Sequence, residues 1–444
     1  MPVFLSPVLI RLSTLDSMAV NLDRINLDGR GETMDELTTR EAAERLGVKP
    51  ETLYAYVSRG LLSSRRAPGG RGSRFDAREV DALARRHRRP HAPVAAAEDG
   101  GAPAGTPVRT GITLIERDRY FFRGVDATAL AAAYGYEEVA DWLWTGRLTP
   151  GIRFTAPPEL LAAATAAVAA LPAHAGPVDR LRAAAVAAAA ADPLRFDLAD
   201  DAVRATARGL VATMATALPL AGGAHGADAP VAHRLWARLT ALPPDAGSVR
   251  CLDTALTLLI DHDLAASTFA TRVAASARAH PYAVVTTGLG ALDGPLHGAA
   301  SGLAHRMLAE ALARGSAAAV VSDHLRAGRR VPGLGHRLYP GVDPRAGTLF
   351  GLLDGIPRAA PALAAAREVA EITARHVSVR PNVDLALAVL SVAADMPAEA
   401  GETVFAVART AGWVAHALEE YAERPLRMRP SGRYTGPPPA QPLP

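Results

Sequence analysis

Alanine-rich stretches of helical period fill this chain between proline and glycine stops, and they leave room for little except packed helices. YGYEEVADWLWTGRL, PELLAAATAAVAALP, VDRLRAAAVAAAAAD, DDAVRATARGLVATMATALPLAGG and CLDTALTLLIDHDLAASTFATRVAASARAH each keep apolar residues three and four positions apart. Alanine is the best helix former and lets helix axes approach closely, so the body is expected to be mainly α. No repeat of solenoid period is present. The apolar runs are too short and too alanine-rich to span a bilayer, and Pro172 ends one of them, so no membrane partner is expected.

With 444 residues, 49% of them hydrophobic, the chain can bury a large core and divide into two or three domains. Its net charge of +3 is too small to mark the whole chain as a nucleic-acid binder. A single cysteine, Cys251, excludes an internal disulfide and a cysteine-built zinc site, which fits a cytoplasmic protein, and no metal is expected. MPVFLSPVLIRLSTLDSMAV has no basic region ahead of its apolar stretch, so a secretory signal is not expected; residues 1–36 read as a disordered lead, with Met34 as an alternative start. VAAAEDGGAPAGTP lies in a flexible linker over residues 91–107, and residues 437–444 read as a disordered tail. Between them, GITLIERDRYFFRG alternates apolar and polar residues about a charged tip and predicts a short hairpin.

LTTREAAERLGVKPETLYAYVSRGLL starts a helix at Thr38 or Thr39, turns at Gly47 and starts a second helix near Lys49. SSRRAPGGRGSRF then sets Arg65, Arg66, Arg71 and Arg74 among glycines, as a wing touching phosphates would need, before the helix DAREVDALARRHRR. Residues 37–90 resemble the MerR or excisionase type of winged helix-turn-helix domain. That resemblance implies either DNA or protein contacts, and an operator-binding role would need a dimer.

The helices are interrupted by VPGLGHRLYPGVDPR, residues 331–345, whose Pro332, Pro340 and Pro344 forbid a helix. It is either a surface connector or an ordered loop where Gly333 and Gly335 let a ligand approach His336. The GPLHG turn puts His297 beside a helix start, where free amides and the positive dipole end disfavour an imidazolium; a packed residue and an oxyanion donor are both open readings. His305, farther along that helix, reads as structural. His262, between Asp261 and Asp263 in a helical segment, either faces a site or is a partnered polar residue. Asp384 precedes an apolar helix and could be an N-cap or a base. Arg409 lies in an apolar helix, and burying it calls for an anionic partner. A carboxylate base, a neutral histidine donor, a second histidine and several arginines are what condensing an enolisable thioester with an anionic keto acid requires.

Taken in order, TGITLIERDRYFFRGVDATAL, YEEVADWLWTGRL, LIDHDLAASTFATR, GPLHGAASG, PGLGHRLYPGVDPR, RPNVD, VART and RPSGRYTG resemble citrate synthase over residues 108–436. The resemblance implies an all-α fold of large and small subdomains and a homodimer. It also implies condensation of acetyl-CoA with oxaloacetate, the coenzyme A thioester being a co-substrate with no permanently bound cofactor. His297 would contact the thioester oxygen, His336 the oxaloacetate carbonyl, and Asp384 would be the base. His262, Arg345, Arg409 and Arg429 would bind oxaloacetate, Arg429 in the partner subunit's site. The family's HELN is HDLA here, so Ala265 replaces a supporting amide. Pro340 stands where a lysine commonly meets coenzyme A phosphate, a role Arg329 and Arg330 could assume, and Ala386 stands near a usual polar group. A 2-methylcitrate synthase using propionyl-CoA and a DNA-binding, metabolite-sensing regulator are the alternatives.

Overall fold

The computed structural model describes residues 36–46, 48, 53, 57, 62–66, 73–87, 108–294, 297–428, 435–437 and 440. It divides into two compact units with the boundary between Ala104 and Gly105.

In the first unit, strand β1 (Glu36–Thr38) and helix α1 (Thr39–Leu46) open the chain. The amide and hydroxyl of Thr38 both donate to the Glu41 carboxylate at 2.8 Å, satisfying the helix start. Strand β3 (Ser73–Asp76) is the centre of an antiparallel sheet, flanked by β1 and by β2 (Ser64–Arg66), and leads into helix α2 (Ala77–His87). Ala42, Ala43, Leu53, Leu62, Phe75, Val80 and Leu83 form its core. The wing expected from the sequence is this β2–β3 pair, with Arg65 opposite Arg74. Arg71, the start of the second helix near Lys49 and the linker fall outside the described residues, as does the lead except for Glu36. Glu36, which the sequence reading put in the lead, pairs with Asp76 in the sheet.

The second unit opens with the expected hairpin, β4 (Thr113–Glu116) and β5 (Arg119–Phe122), extended by β6 (Val125–Asp126). Helices α3 (Ala127–Ala133), α4 (Tyr136–Thr145), α5 (Pro158–Ala169), α6 (Pro177–Ala191), α7 (Asp200–Ala217), α8 (Val231–Leu239) and α9 (Ala246–Leu258) follow. Then come α10 (Ala266–Ser276), α11 (Pro281–Leu292), α12 (Ala300–Arg314), α13 (Ala317–Arg326), α14 (Pro344–Leu353), α15 (Ala360–Ala374), α16 (Val383–Ala393) and α17 (Ala400–Ala422). Trp144, Trp236 and Trp413 are fully buried in one continuous core. Each large ring of this kind removes roughly 150–250 Å² from water, worth about 4–6 kcal/mol. Helices α12, α13, α15 and α16 pack on one another as a smaller group against the rest.

Two expected elements are corrected. Residues 331–345 read as loop throughout, but α14 begins at Pro344, because the first helical position needs no amide donor and suits proline. The segment from Cys251 to His280 is two helices, since α9 ends at Leu258 and α10 begins at Ala266. The break lets adjacent buried side chains part company: Asp261 accepts from Thr113 Oγ1 at 2.6 Å, while His262 bonds Tyr339. Asp263 takes a left-handed φ of 57° to complete the turn. No helix among the described residues is long and apolar enough to cross a membrane.

Candidate active site

The loop that interrupts the helices is stitched to the start of α16. Leu334 bridges Pro381, the Gly335 amide donates to the Arg380 carbonyl at 2.7 Å, and the Asn382 amide donates to the Gly333 carbonyl at 3.0 Å. Gly333 and Gly335 hold φ of 77° and 81°, and a Cβ on Gly333 would lie 2.8 Å from Cβ of Leu385. The loop is therefore a docked structural element and not a loose connector. Asn382 is the N-cap of α16, accepting the Asp384 amide at 3.0 Å, so Asp384 sits in the first turn with its carboxylate released from capping.

Asp343, the N-cap of α14, binds Arg345 through Nε at 3.0 Å and Nη2 at 2.9 Å and accepts the Val383 amide at 3.0 Å. This pair joins the loop's end to the helix that carries Asp384. Arg345 Nη2 in turn lies 3.2 Å from His336 Nε2, and the Leu338 amide donates to His336 Nδ1 at 3.1 Å. His262 meets His336 edge to face, with ring centroids 5.1 Å apart, and bonds the Tyr339 hydroxyl through Nε2 at 2.8 Å. His262, His336, Tyr339 and Arg345 thus form one cluster.

His297, in the turn before α12, bonds Ser267 Oγ through Nε2 at 2.8 Å, and Trp413 donates to the same oxygen at 3.4 Å. Its ring lies edge to face with Phe405 at 6.0 Å, and the Arg409 guanidinium stacks over Phe405 at 4.4 Å. Arg409 is 1% exposed, donates Nε to the Leu259 carbonyl at 2.9 Å, and leaves Nη1 and Nη2 without partners among the described residues. A buried guanidinium with both ends open is costly until an acceptor arrives.

Electrostatics ties these parts together. Burial, then the Arg409 charge, lowers His297 to about 4. Burial, then Arg345, lowers His336 to about 4. His262 falls well below the usual imidazole value through burial and the charges of Arg345 and Arg409. All three rings are uncharged near neutrality. Burial pushes Asp384 up to about 6, with Arg345 opposing and Asp343 reinforcing the rise. Burial lowers Arg409 to about 10, against the attraction of Asp261. Arg409 acts on both His297 and His262, and Arg345 on both His336 and Asp384, so the parts share one electrostatic environment.

Of the residues expected from sequence, His262, His297, His336, Arg345, Asp384 and Arg409 belong to this assembly. Arg429 lies outside the described residues. Arg329 and Arg330 are exposed just before the loop. His305 bonds Ser391 Oγ at 2.8 Å and joins α12 to α16, the structural part read for it. Ala265 is the N-cap of α10 with no side-chain bond, and Ala386 is fully buried. Sequence reasoning missed Ser267, Tyr339 and Asp343. Asp343 carried a signal, since Asp-Pro ahead of a helix is a capping pattern; an isolated serine or tyrosine carried none.

The family description citrate synthase, C-terminal domain matches residues 103–431, and a helix-turn-helix domain matches residues 36–88. A putative citrate synthase 2 of Mycobacterium tuberculosis is 36% identical over 204 residues, 45% of this chain and 54% of that protein. A citrate synthase of Haloferax volcanii is 37% identical over 188 residues, 41% of this chain and 49% of that one. The chain spans about half the length of the curated relatives it matches. The crystal structure of citrate synthase from Thermotoga maritima superposes with a TM-score of 0.62 at 26% identity, covering 78% of this chain and 98% of that one. That from Pyrobaculum aerophilum gives 0.64 at 26% identity over 76% and 92%.

Proposed function

Because the chain belongs to the citrate synthase family, we propose that it condenses acetyl-CoA with oxaloacetate to give citrate and coenzyme A. The observation that carries this reading is a surplus of hydrogen-bond donors at His336, Arg345 and Arg409. An uncharged His336 that accepts the Leu338 amide at Nδ1 carries its proton on Nε2, where it faces another donor, Arg345 Nη2. Both ends of Arg409 are open as well. A ligand with carboxylates for the arginines and a carbonyl oxygen for the imidazole completes the set.

The thioester half follows from hydrogen-bond direction. Trp413 N–H donates to Ser267 Oγ, and in this reading the serine gives its own proton to His297 Nε2. The remaining N–H of His297, on Nδ1, is then available to the thioester oxygen. Asp384 removes a proton from the carbon next to that carbonyl, and the enolate charge develops against His297. The nucleophilic carbon attacks the ketone polarised by His336, and water hydrolyses the resulting thioester. A preorganised donor of this kind is worth about 2.7–4 kcal/mol of barrier, roughly a hundredfold or more in rate. Arg329 and Arg330 are the proposed contacts for coenzyme A phosphates, and Arg429 is proposed to complete the site of a homodimeric partner.

Thiol release from acetyl-CoA plus oxaloacetate is the test, with Asp384→Asn and His297→Ala expected to abolish it. Near wild-type rates in either would sink the assignment. Running propionyl-CoA in parallel decides between this reaction and 2-methylcitrate formation, since one methylene is worth only about 1–3 kcal/mol. A second reading, a metabolite-sensing regulator, is favoured by the helix-turn-helix match over residues 36–88. It requires DNA retention that responds to oxaloacetate, with no turnover of either thioester.

A further inference from the structure

We infer that Tyr339 is a positioning residue of the keto-acid subsite, its hydroxyl holding His262 in the tautomer that offers an N–H to the substrate. The inference rests on the reading above for the identity of the ligand, but its central claim concerns the resting protein.

Tyr339 is 3% exposed, and it touches every other member of its cluster. Its hydroxyl lies 2.8 Å from His262 Nε2, its ring centroid 4.8 Å from that of His336, and the Arg345 guanidinium 5.6 Å above its ring. Burial raises the phenol far above its usual range, so the hydroxyl stays protonated. His262 is uncharged for the reasons given above, and an uncharged imidazole has one donor and one acceptor nitrogen. Nδ1 makes no hydrogen bond among the described residues. It is the nitrogen left for a ligand.

Two arrangements satisfy the pair. If the phenol donates to Nε2, Nδ1 carries the proton and presents an N–H. If Nε2 donates to the phenol, Nδ1 presents a lone pair. Arg345 and Arg409, the charges that depress His262, mark this subsite as one for anions, and an anionic oxygen repels a lone pair. The binding-competent form is therefore Tyr339 O–H to Nε2 with Nδ1–H free. Removing the hydroxyl frees the tautomers to exchange, and binding must then select one of them.

Tyr339→Phe keeps the ring packed against His336 and Arg345 and deletes only the hydroxyl. In full-length protein labelled with 15N-histidine, wild-type His262, assigned by loss of its signals in His262→Gln, should show a protonated Nδ1 and a bare Nε2. The phenylalanine variant should lose that pattern. In the thiol-release assay its KM for oxaloacetate should rise about tenfold, the effect of one lost hydrogen bond, while kcat changes less than threefold. A proton on Nε2 in the wild type, or an unchanged His262 spectrum or oxaloacetate KM in the variant, overturns the inference, as does a loss confined to kcat. Should the wild type release no thiol, the condensing reading fails separately. The tautomer and calorimetric binding of oxaloacetate then decide on Tyr339, weaker binding by the variant supporting it and equal binding overturning it.

Discussion

Nη2 of Arg345 stands 3.2 Å from Nε2 of His336, a donor facing a donor once the Leu338 amide has occupied Nδ1. The pair is incomplete without an oxygen between them. A ligand whose carbonyl supplies that oxygen should bind better than the same dicarboxylate without it. Oxaloacetate is therefore expected to raise the melting temperature more than succinate at equal concentration, and at a hundred times its Kd it would add about 2.7 kcal/mol. Equal shifts from the two compounds would show that the carbonyl is not being read.

Gly333 and Gly335 have almost the same backbone conformation but different surroundings. At Gly333, with φ of 77°, an added Cβ meets Leu385 Cβ at 2.8 Å and its Cα at 3.1 Å. At Gly335, with φ of 81°, the nearest atom is Val379 Cγ1 at 3.5 Å. Gly335→Ala should cost only the left-handed strain, about 1 kcal/mol, while Gly333→Ala adds a clash with the helix carrying Asp384 and should cost about 2–4 kcal/mol. Urea midpoints of the two variants check this, and similar losses at both positions would count against the loop being docked as described.

In the small N-terminal unit, Arg65 and Arg74 face each other across β2 and β3 without a carboxylate between them in the ladder. Two arginines paired across adjacent strands suit consecutive phosphates. If the unit binds DNA through this wing, replacing both arginines by alanine should weaken retention on any duplex and reduce the slope of log affinity against log salt by about 2. The full chain at several salt concentrations provides the measurement, and an unaltered slope would remove the wing from any DNA contact.

Much of the site was legible before the fold was known, for identifiable physical reasons. Pro332 and Pro340 break a helix, so the loop carrying His336 stood out, while Pro344 opens α14 and puts Arg345 in its first turn. Arg409 among apolar helix positions demanded an anion, and its unpartnered Nη1 and Nη2 are that demand in three dimensions. Other parts depended on contacts between segments far apart in the chain. The break between α9 and α10 follows from Thr113 and His416 claiming Asp261 while Tyr339 claims His262, at 2.6, 3.3 and 2.8 Å. No local pattern announces such a competition, and alanine on either side favours a continuous helix. Ser267 and Tyr339 were invisible for the same reason, since their role lies in the nitrogen each one meets.

Asp384, the proposed base, ties stability to the proposed reaction in one titration. Its carboxyl is pushed from the usual 3.8 up to about 6, first by burial. Below pH 4 both the folded and unfolded chains hold this proton, and the group contributes nothing to pH dependence. Between pH 4 and 6 the unfolded chain releases the proton and the folded chain keeps it, so the folded state loses stability as pH rises. Above pH 6 the penalty is complete, and a shift of about two units corresponds to at most about 3 kcal/mol. Asp384→Asn, which carries no charge to bury, should therefore be more stable than wild type at pH 8 by up to that amount, with the difference closing toward pH 4. The same titration would protonate the proposed base, so wild-type kcat/KM should fall about tenfold per unit below pH 6. Denaturation midpoints of the two proteins at pH 4 and pH 8, beside the pH–rate profile, test both limbs; an asparagine variant no more stable at pH 8 would mean that the carboxylate is solvated rather than held against its charge.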